Sequence, residues 1–76
     1  MTAKDFVRQT GFFTNITDVP VIIWKGCNVY KVWNEKNGKP IPTGPPFFLI
    51  EDMRGNFRYT KPEEGFEIHK YIQKSK

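Results

Sequence analysis

The chain has 76 residues, a formal net charge of +4 from 12 Lys and Arg against 8 Asp and Glu, and 16% aromatic residues. This length predicts a single domain over 1–76, with a thin core that competes with any deep catalytic pocket for apolar side chains. The lone Cys27 excludes an intramolecular disulfide and favours a reducing, cytoplasmic compartment. No apolar run reaches the ~18 residues of a membrane-spanning helix, and residues 1–10 lack the apolar segment of a signal peptide, so we expect no membrane partner.

The first predicted element is a short helix within the N-terminal segment 1–11. Thr2 and Asp5 have the spacing of a capping box, and Phe6 and Val7 supply a small apolar face. Gly11 suits the left-handed conformation in which helices often end. Two turns are marginally stable alone, so we expect this helix to dock on the rest of the chain.

Residues 19–72 predict a β-rich body, followed by a basic tail at 73–76. Strand-forming residues at 21–24 and 29–33 flank a turn at 25–27, and Asn37-Gly38 is a strong turn dipeptide. The runs 47–50 and 57–60 have the pattern of a second hairpin. The predicted fold is therefore mainly β (α+β), a small antiparallel barrel or a strongly bent sheet with a short N-terminal helix.

Residues 40–46 hold four prolines and a glycine, which predicts an extended, exposed loop and excludes a central strand or a helix. Pro42 and Pro45 also match the PxxP pattern bound by SH3 and WW domains. Because matches this short arise often by chance, we prefer the interpretation as a stiff connector.

The last segment has two interpretations. Residues 66–72 favour a strand that ends in a single helical turn. The competing interpretation is a helix, because Thr60, Pro62 and Glu63 have the pattern of a helix start. Gly65 inside that helix would weaken it by roughly 1 kcal/mol, so we favour the strand.

Part of this body resembles SH3-type barrels. Residues 47–50 resemble the strand after the first long loop of that fold, and 55–59 resemble its glycine-aromatic strand. Residues 64–72 resemble its closing segment, with a glycine-apolar strand and a tyrosine-apolar pair. The resemblance covers 47–72 and implies an SH3-like small β-barrel. Peptide-binding members carry a Trp at the position of Asn56 and Phe57, so the resemblance does not extend to proline-peptide binding.

A second resemblance is to small excisionase-like winged-helix proteins. Residues 2–11 are similar to their first helix, and 29–42 to their second helix and its exit. The hairpin at 47–60 would then be the wing. This alternative leaves the strand-forming residues 21–24 unexplained, and we rank it below the barrel.

Catalytic and metal-binding patterns are missing from the sequence. Cys27 and His69 form the one possible nucleophile–base pair, and no nucleophile signature surrounds Cys27. One Cys and one His do not make a zinc site, and the adjacent carboxylates at 51–52 and 63–64 are typical of solvated turns. We therefore predict a non-enzymatic protein without a metal or cofactor.

Basic and aromatic residues alternate along the predicted strands. The chain has more aromatic residues than a thin core can bury, so we expect some of them at the surface. This pattern predicts a binding module for nucleic acid, with cations on phosphates and Trp33, Phe57 or Tyr59 stacking on bases. The candidate site residues are Lys25, Lys31, Trp33, Arg54, Phe57, Arg58, Tyr59 and Lys61. The alternative is a protein-binding adaptor or inhibitor of the kind carried by phages and mobile elements, which would use an aromatic patch or a sheet edge.

Overall fold

The computed structural model describes residues 2–41 and 46–74. Within them the chain forms a six-stranded antiparallel sheet with a helix before it and a helix after it. The α+β class and the short N-terminal helix are confirmed, and the sheet is open rather than closed into a barrel. In chain order the elements are α1 (Ala3–Thr10), β1 (Asn15–Ile16), β2 (Ile22–Trp24), β3 (Cys27–Lys36), β4 (Lys39–Ile41), β5 (Phe48–Glu51), β6 (Phe57–Tyr59) and α2 (Pro62–Lys74).

The long strand β3 organises the sheet. It pairs with β1, β2, β4 and β5, and β6 joins through β5. Two-residue turns at Lys25-Gly26 and Asn37-Gly38 close the β2–β3 and β3–β4 hairpins. Their φ angles are 51°, 76°, 54° and 77°, the left-handed values that match the twist of paired strands. The predicted turns at 25–27 and 37–38 are therefore confirmed, except that Cys27 already belongs to β3.

Helix α1 begins and ends where the sequence predicts. The Thr2 hydroxyl accepts from the Asp5 N–H at 3.2 Å, and the Asp5 carboxylate accepts from the Thr2 N–H at 3.2 Å. Gly11, at φ 70°, donates its N–H to the carbonyl of Val7. These bonds satisfy backbone groups that a short helix otherwise leaves unpaired.

The two helices cover opposite faces of the sheet. Successive strand residues point to opposite faces, so Phe48 and Ile50 lie on one face and Leu49 on the other. Phe48 and Ile50 pack in one core cluster with Ile68 of α2, whereas Leu49 packs in a second cluster with Val7 of α1. Both faces of the strands are thus buried at this point in the sheet.

The predicted strand at 66–72 is wrong, because this segment belongs to α2. Pro62 occupies the first helical position, where its missing N–H costs nothing, and two glutamates follow near the positive end of the helix. Ile68 and Ile72 are four residues apart and contact the same core cluster. Burial of this apolar stripe outweighs the low helix propensity of Gly65.

The proline-rich stretch is described only in part. The predicted loop over 40–46 is wrong at its start, because Pro40 and Ile41 lie in β4. This strand is exposed and pairs with β3 alone among the described strands, which agrees with the exclusion of a central strand. The PxxP pattern at 42–45 lies outside the described residues, as do 75 and 76 of the predicted basic tail. Residues 73 and 74 are part of α2.

Gly65 provides a test of how α2 sits on the sheet. A Cβ atom at this position would overlap the carbonyl oxygen of Pro46. Alanine normally stabilises a helix interior by about 1 kcal/mol over glycine. Here we expect Gly65→Ala to lower the free energy of unfolding by about 1–2 kcal/mol in urea titrations, because overpacking outweighs the gain in propensity. Glu67→Ala, on an exposed position of the same helix, is the control, and a stabilising Gly65→Ala would contradict this packing.

Candidate nucleic-acid interface

The far end of β3 and its partner β4 extend beyond the core. Val32 is the last residue of β3 that belongs to either core cluster, and all three residues of β4 are exposed. We call residues 33–41 the β3–β4 arm. Its register places Lys36 directly opposite Lys39, next to the Asn37-Gly38 turn. The arm therefore carries two ammonium groups at its tip.

An open groove runs along the base of this arm. Thr17, Lys31, Trp33 and Pro40 line it, and its volume is about 220 Å³. Lys31 and Trp33 are two residues apart on β3, so their side chains leave the same face of the strand. Of the eight residues predicted from sequence, these two are brought together in one groove.

A hydrogen bond fixes the position of Trp33. Its indole Nε1 donates to Glu35 Oε1 at 2.8 Å. The Glu35 backbone N–H in turn donates to Thr14 Oγ1 at 2.8 Å, which ties the arm to the segment before β1. The half-buried indole is therefore held in place although it lies outside both core clusters.

The lysines of this region carry uncompensated charge. Within residues 2–41 and 46–74, the two ion pairs join Lys4 to Asp18 and Arg58 to Glu64. Lys31, Lys36 and Lys39 are exposed and take part in neither of them. An ammonium group without a carboxylate partner is free to contact a phosphate.

Arg58 is placed differently. Its guanidinium donates to both carboxylate oxygens of Glu64, at 2.9 and 3.0 Å, and the Lys61 N–H donates to the same carboxylate. Hydrogen bonds from Arg58, and then from the Lys61 backbone, lower the pKa of Glu64 to about 2, and the same pair raises the pKa of Arg58. The charge of Arg58 is thus locally neutralised, while the Lys61 side chain stays exposed at the start of α2.

Phe57 and Tyr59 pack beneath α1. The Phe6 ring lies 5.5 Å from Phe57 and 5.4 Å from Tyr59, measured between centroids. The Tyr59 hydroxyl is 2.5 Å from Thr10 Oγ1. Phe12 and Phe13 also contact Tyr59. These two predicted stacking residues therefore hold the N-terminal helix on the sheet.

The remaining candidates, Lys25 and Arg54, lie in other turns. The Lys25 ammonium sits 4.5 Å from the centroid of the Trp24 ring, in the turn at the opposite end of β3 from the arm. Arg54 is exposed in the β5–β6 turn, where its backbone N–H donates to Asp52. The eight predicted residues therefore do not form one site, because two of them pack beneath α1 and the others lie on separate parts of the surface.

Sequence reasoning missed four residues of the groove and arm, namely Thr17, Lys36, Lys39 and Pro40. A signal for the two lysines was present, because they flank Asn37-Gly38 and a two-residue turn places its flanking residues opposite each other. Thr17 carried no such signal, since its contact with the groove depends on the pairing of distant β1 with β3.

No family model matches the sequence, and no match was found among curated proteins or among solved structures. In the described part of the chain, neither helix has the length and apolar character needed to cross a membrane. The same residues contain no group of three His, Cys, Asp or Glu side chains placed to hold a metal ion.

The pair of Arg58 and Glu64 predicts a defined pH dependence. Glu64 has a folded pKa of about 2 against an ordinary value of 4.5, so its stabilising contribution is complete above pH 4.5 and is lost as the pH falls towards 2. Because the Arg58 side chain is 54% exposed, we expect a contribution below about 1 kcal/mol. Glu64→Gln should flatten the decline in unfolding free energy across this window, measured by urea titrations at several pH values.

Glu67→Gln is the matched control, because Glu67 lies on the same helix and forms no ion pair with the described residues. It should alter the profile less than Glu64→Gln does. Parallel profiles for the wild type and Glu64→Gln would contradict the assignment of this pair.

Proposed function

We propose that the protein is a non-enzymatic binding module that contacts the backbone of nucleic acid through the β3–β4 arm and Lys31. The observation that carries this proposal is the placement of Lys36 and Lys39 at the tip of the arm, and of Lys31 beside its base, without carboxylate partners among the described residues. Lysines in such positions neutralise phosphates and release the counterions condensed on them, which favours binding. The net charge of +4 adds a weaker, general attraction.

The shape of the arm supports the same proposal. A two-stranded antiparallel ribbon presents side chains on both of its faces and at its tip, so it can contact several phosphates of a nucleic-acid chain at once. Trp33 lies beside Lys31 and offers an aromatic surface next to the cation. Combined cationic and aromatic groups are typical of nucleic-acid-binding grooves.

The tip lysines give a direct test. Replacing both Lys36 and Lys39 with Gln should weaken binding of a fluorescent oligonucleotide and reduce the slope of log affinity against log salt by roughly 0.7–0.9 for each lost phosphate contact. The measurement is fluorescence anisotropy between about 50 and 200 mM salt.

Lys25→Asn, compared with Lys36→Gln alone, is the matched control for this experiment. It removes one charge from the other two-residue turn, and Asn tolerates the positive φ of that position. The two turns lie at opposite ends of β3, about 30 Å apart at 3.3 Å per residue, which exceeds the screening length of roughly 8 Å. An equal loss of salt dependence in Lys25→Asn, or a flat salt response in the wild type, would contradict the proposal.

A second candidate function, binding of a protein partner, is favoured by one observation. Ile23 of β2 is 66% exposed, and Val19 and Val21, which precede this strand, are 68 and 42% exposed. Among the described strands β2 pairs only with β3. An extended peptide could add to that free edge. In this case a partner retained from cell lysate should survive nuclease digestion and be lost with Ile23→Lys. A partner that nuclease releases, and that Ile23→Lys leaves bound, would contradict this candidate.

A further inference from the structure

We infer that the groove of Thr17, Lys31, Trp33 and Pro40 takes one unpaired base, stacked on Trp33, so that the protein prefers single-stranded nucleic acid to duplex. This inference rests on the proposed function and specifies the form of nucleic acid bound. It concerns the single strand as a substrate class and requires no particular base.

The indole of Trp33 does not pack in a core cluster, unlike the aromatic side chains beneath α1. Phe6, Phe13, Phe57 and Tyr59 pack in the α1 cluster and contact one another. Trp33 belongs to neither core cluster and forms no ring pair within the described residues. A half-buried tryptophan in this position keeps part of its surface available to the groove that it lines.

Hydrogen bonds also fix the orientation of the indole ring. Its N–H donates to Glu35, and the Glu35 backbone is tied to Thr14. A ring already fixed in one orientation loses little conformational freedom when a base stacks on it, which favours binding.

The charges around the groove favour a base beside Trp33 and its phosphate beside Lys31. Glu35 is the one acidic residue of the arm, and its carboxylate sits 2.8 Å from the indole nitrogen. That carboxylate repels a phosphate beside Trp33, whereas an uncharged base is accepted there. Lys31 lines the same groove and is placed for the phosphate of that nucleotide, and Lys36 and Lys39 are placed for neighbouring phosphates.

The cost of exposing a base favours a single strand over a duplex at this groove. In a duplex each base is stacked between neighbours and must be unstacked before its face can reach a protein ring, which costs a few kcal/mol. A single strand offers the same face without that cost.

The test compares a labelled ten-nucleotide oligo(dT) with a DNA hairpin duplex carrying a similar number of phosphates. We expect Trp33→Leu to weaken binding of the single strand by roughly 5- to 150-fold, the range typical of one stacked base, and to leave its salt slope unchanged. Binding of the duplex should change little. Phe66→Leu is the matched control, because Phe66 is an exposed aromatic residue on α2 and lies outside the groove.

Fluorescence supplies a second measurement that does not require a change at Trp33. The chain has two tryptophans, so Trp24→Phe leaves Trp33 as the reporter. We expect saturating oligo(dT) to quench this emission strongly. In the separate binding assay with labelled oligo(dT), Trp33→Phe, which keeps a ring in the groove, should retain most of the affinity. Circular dichroism of each variant confirms that the fold is retained.

The outcomes separate the inference from the proposed function. Salt-dependent binding of both nucleic acids with equal affinity, or unchanged Trp33 emission at saturation, overturns the unpaired-base site and leaves backbone binding by the arm intact. No binding of either nucleic acid overturns both. Preference for the single strand that Trp33→Leu abolishes supports the inference.

Discussion

The burial of both faces of one short strand is the constraint on which this structure depends. Along β5 the successive side chains of Phe48, Leu49 and Ile50 are 3, 0 and 2% exposed. Because neighbours on a strand point in opposite directions, each face needs its own cover, and the described residues supply one helix for each face. Burying each such side chain contributes about 1.5–3 kcal/mol, so losing either helix would expose half of a small core.

The same arrangement leaves the end of β3 outside both core clusters. The helices cover both faces of the central sheet. The aromatic side chains of Phe6, Phe57 and Tyr59 pack together where α1 contacts the sheet. The strand β3 is longer than its core contacts, so its end projects as the β3–β4 arm. On this arm Lys36 and Lys39 are exposed and form no ion pair with the described residues, and Trp33 lies outside both core clusters.

Local signals in the sequence predicted local structure well. The capping residues of α1 and the turns at 25–26 and 37–38 involve neighbours within a few positions, and the structure confirms them. The misassigned segment was α2, because Gly65 is a poor helix former on its own. Its role is visible only in three dimensions, where the backbone of Pro46 approaches too closely for a side chain.

The part of the candidate site that depends on neighbouring residues was predictable from the sequence. Lys31 and Trp33 are two positions apart on one strand, so their shared face follows from strand geometry. Arg58 is an exposed cation by its sequence pattern, yet a contact with Glu64 across the β6–α2 junction compensates it. Pairings between distant segments decide which charges remain free, and composition alone does not reveal them.

The most direct test of binding at the β3–β4 arm is an amide chemical-shift map of isotope-labelled protein titrated with oligo(dT). We expect the largest changes at residues 14–17 and 31–41, with small changes on either helix. Changes concentrated on α2 or in the β5–β6 turn, with the arm unaffected, would contradict it.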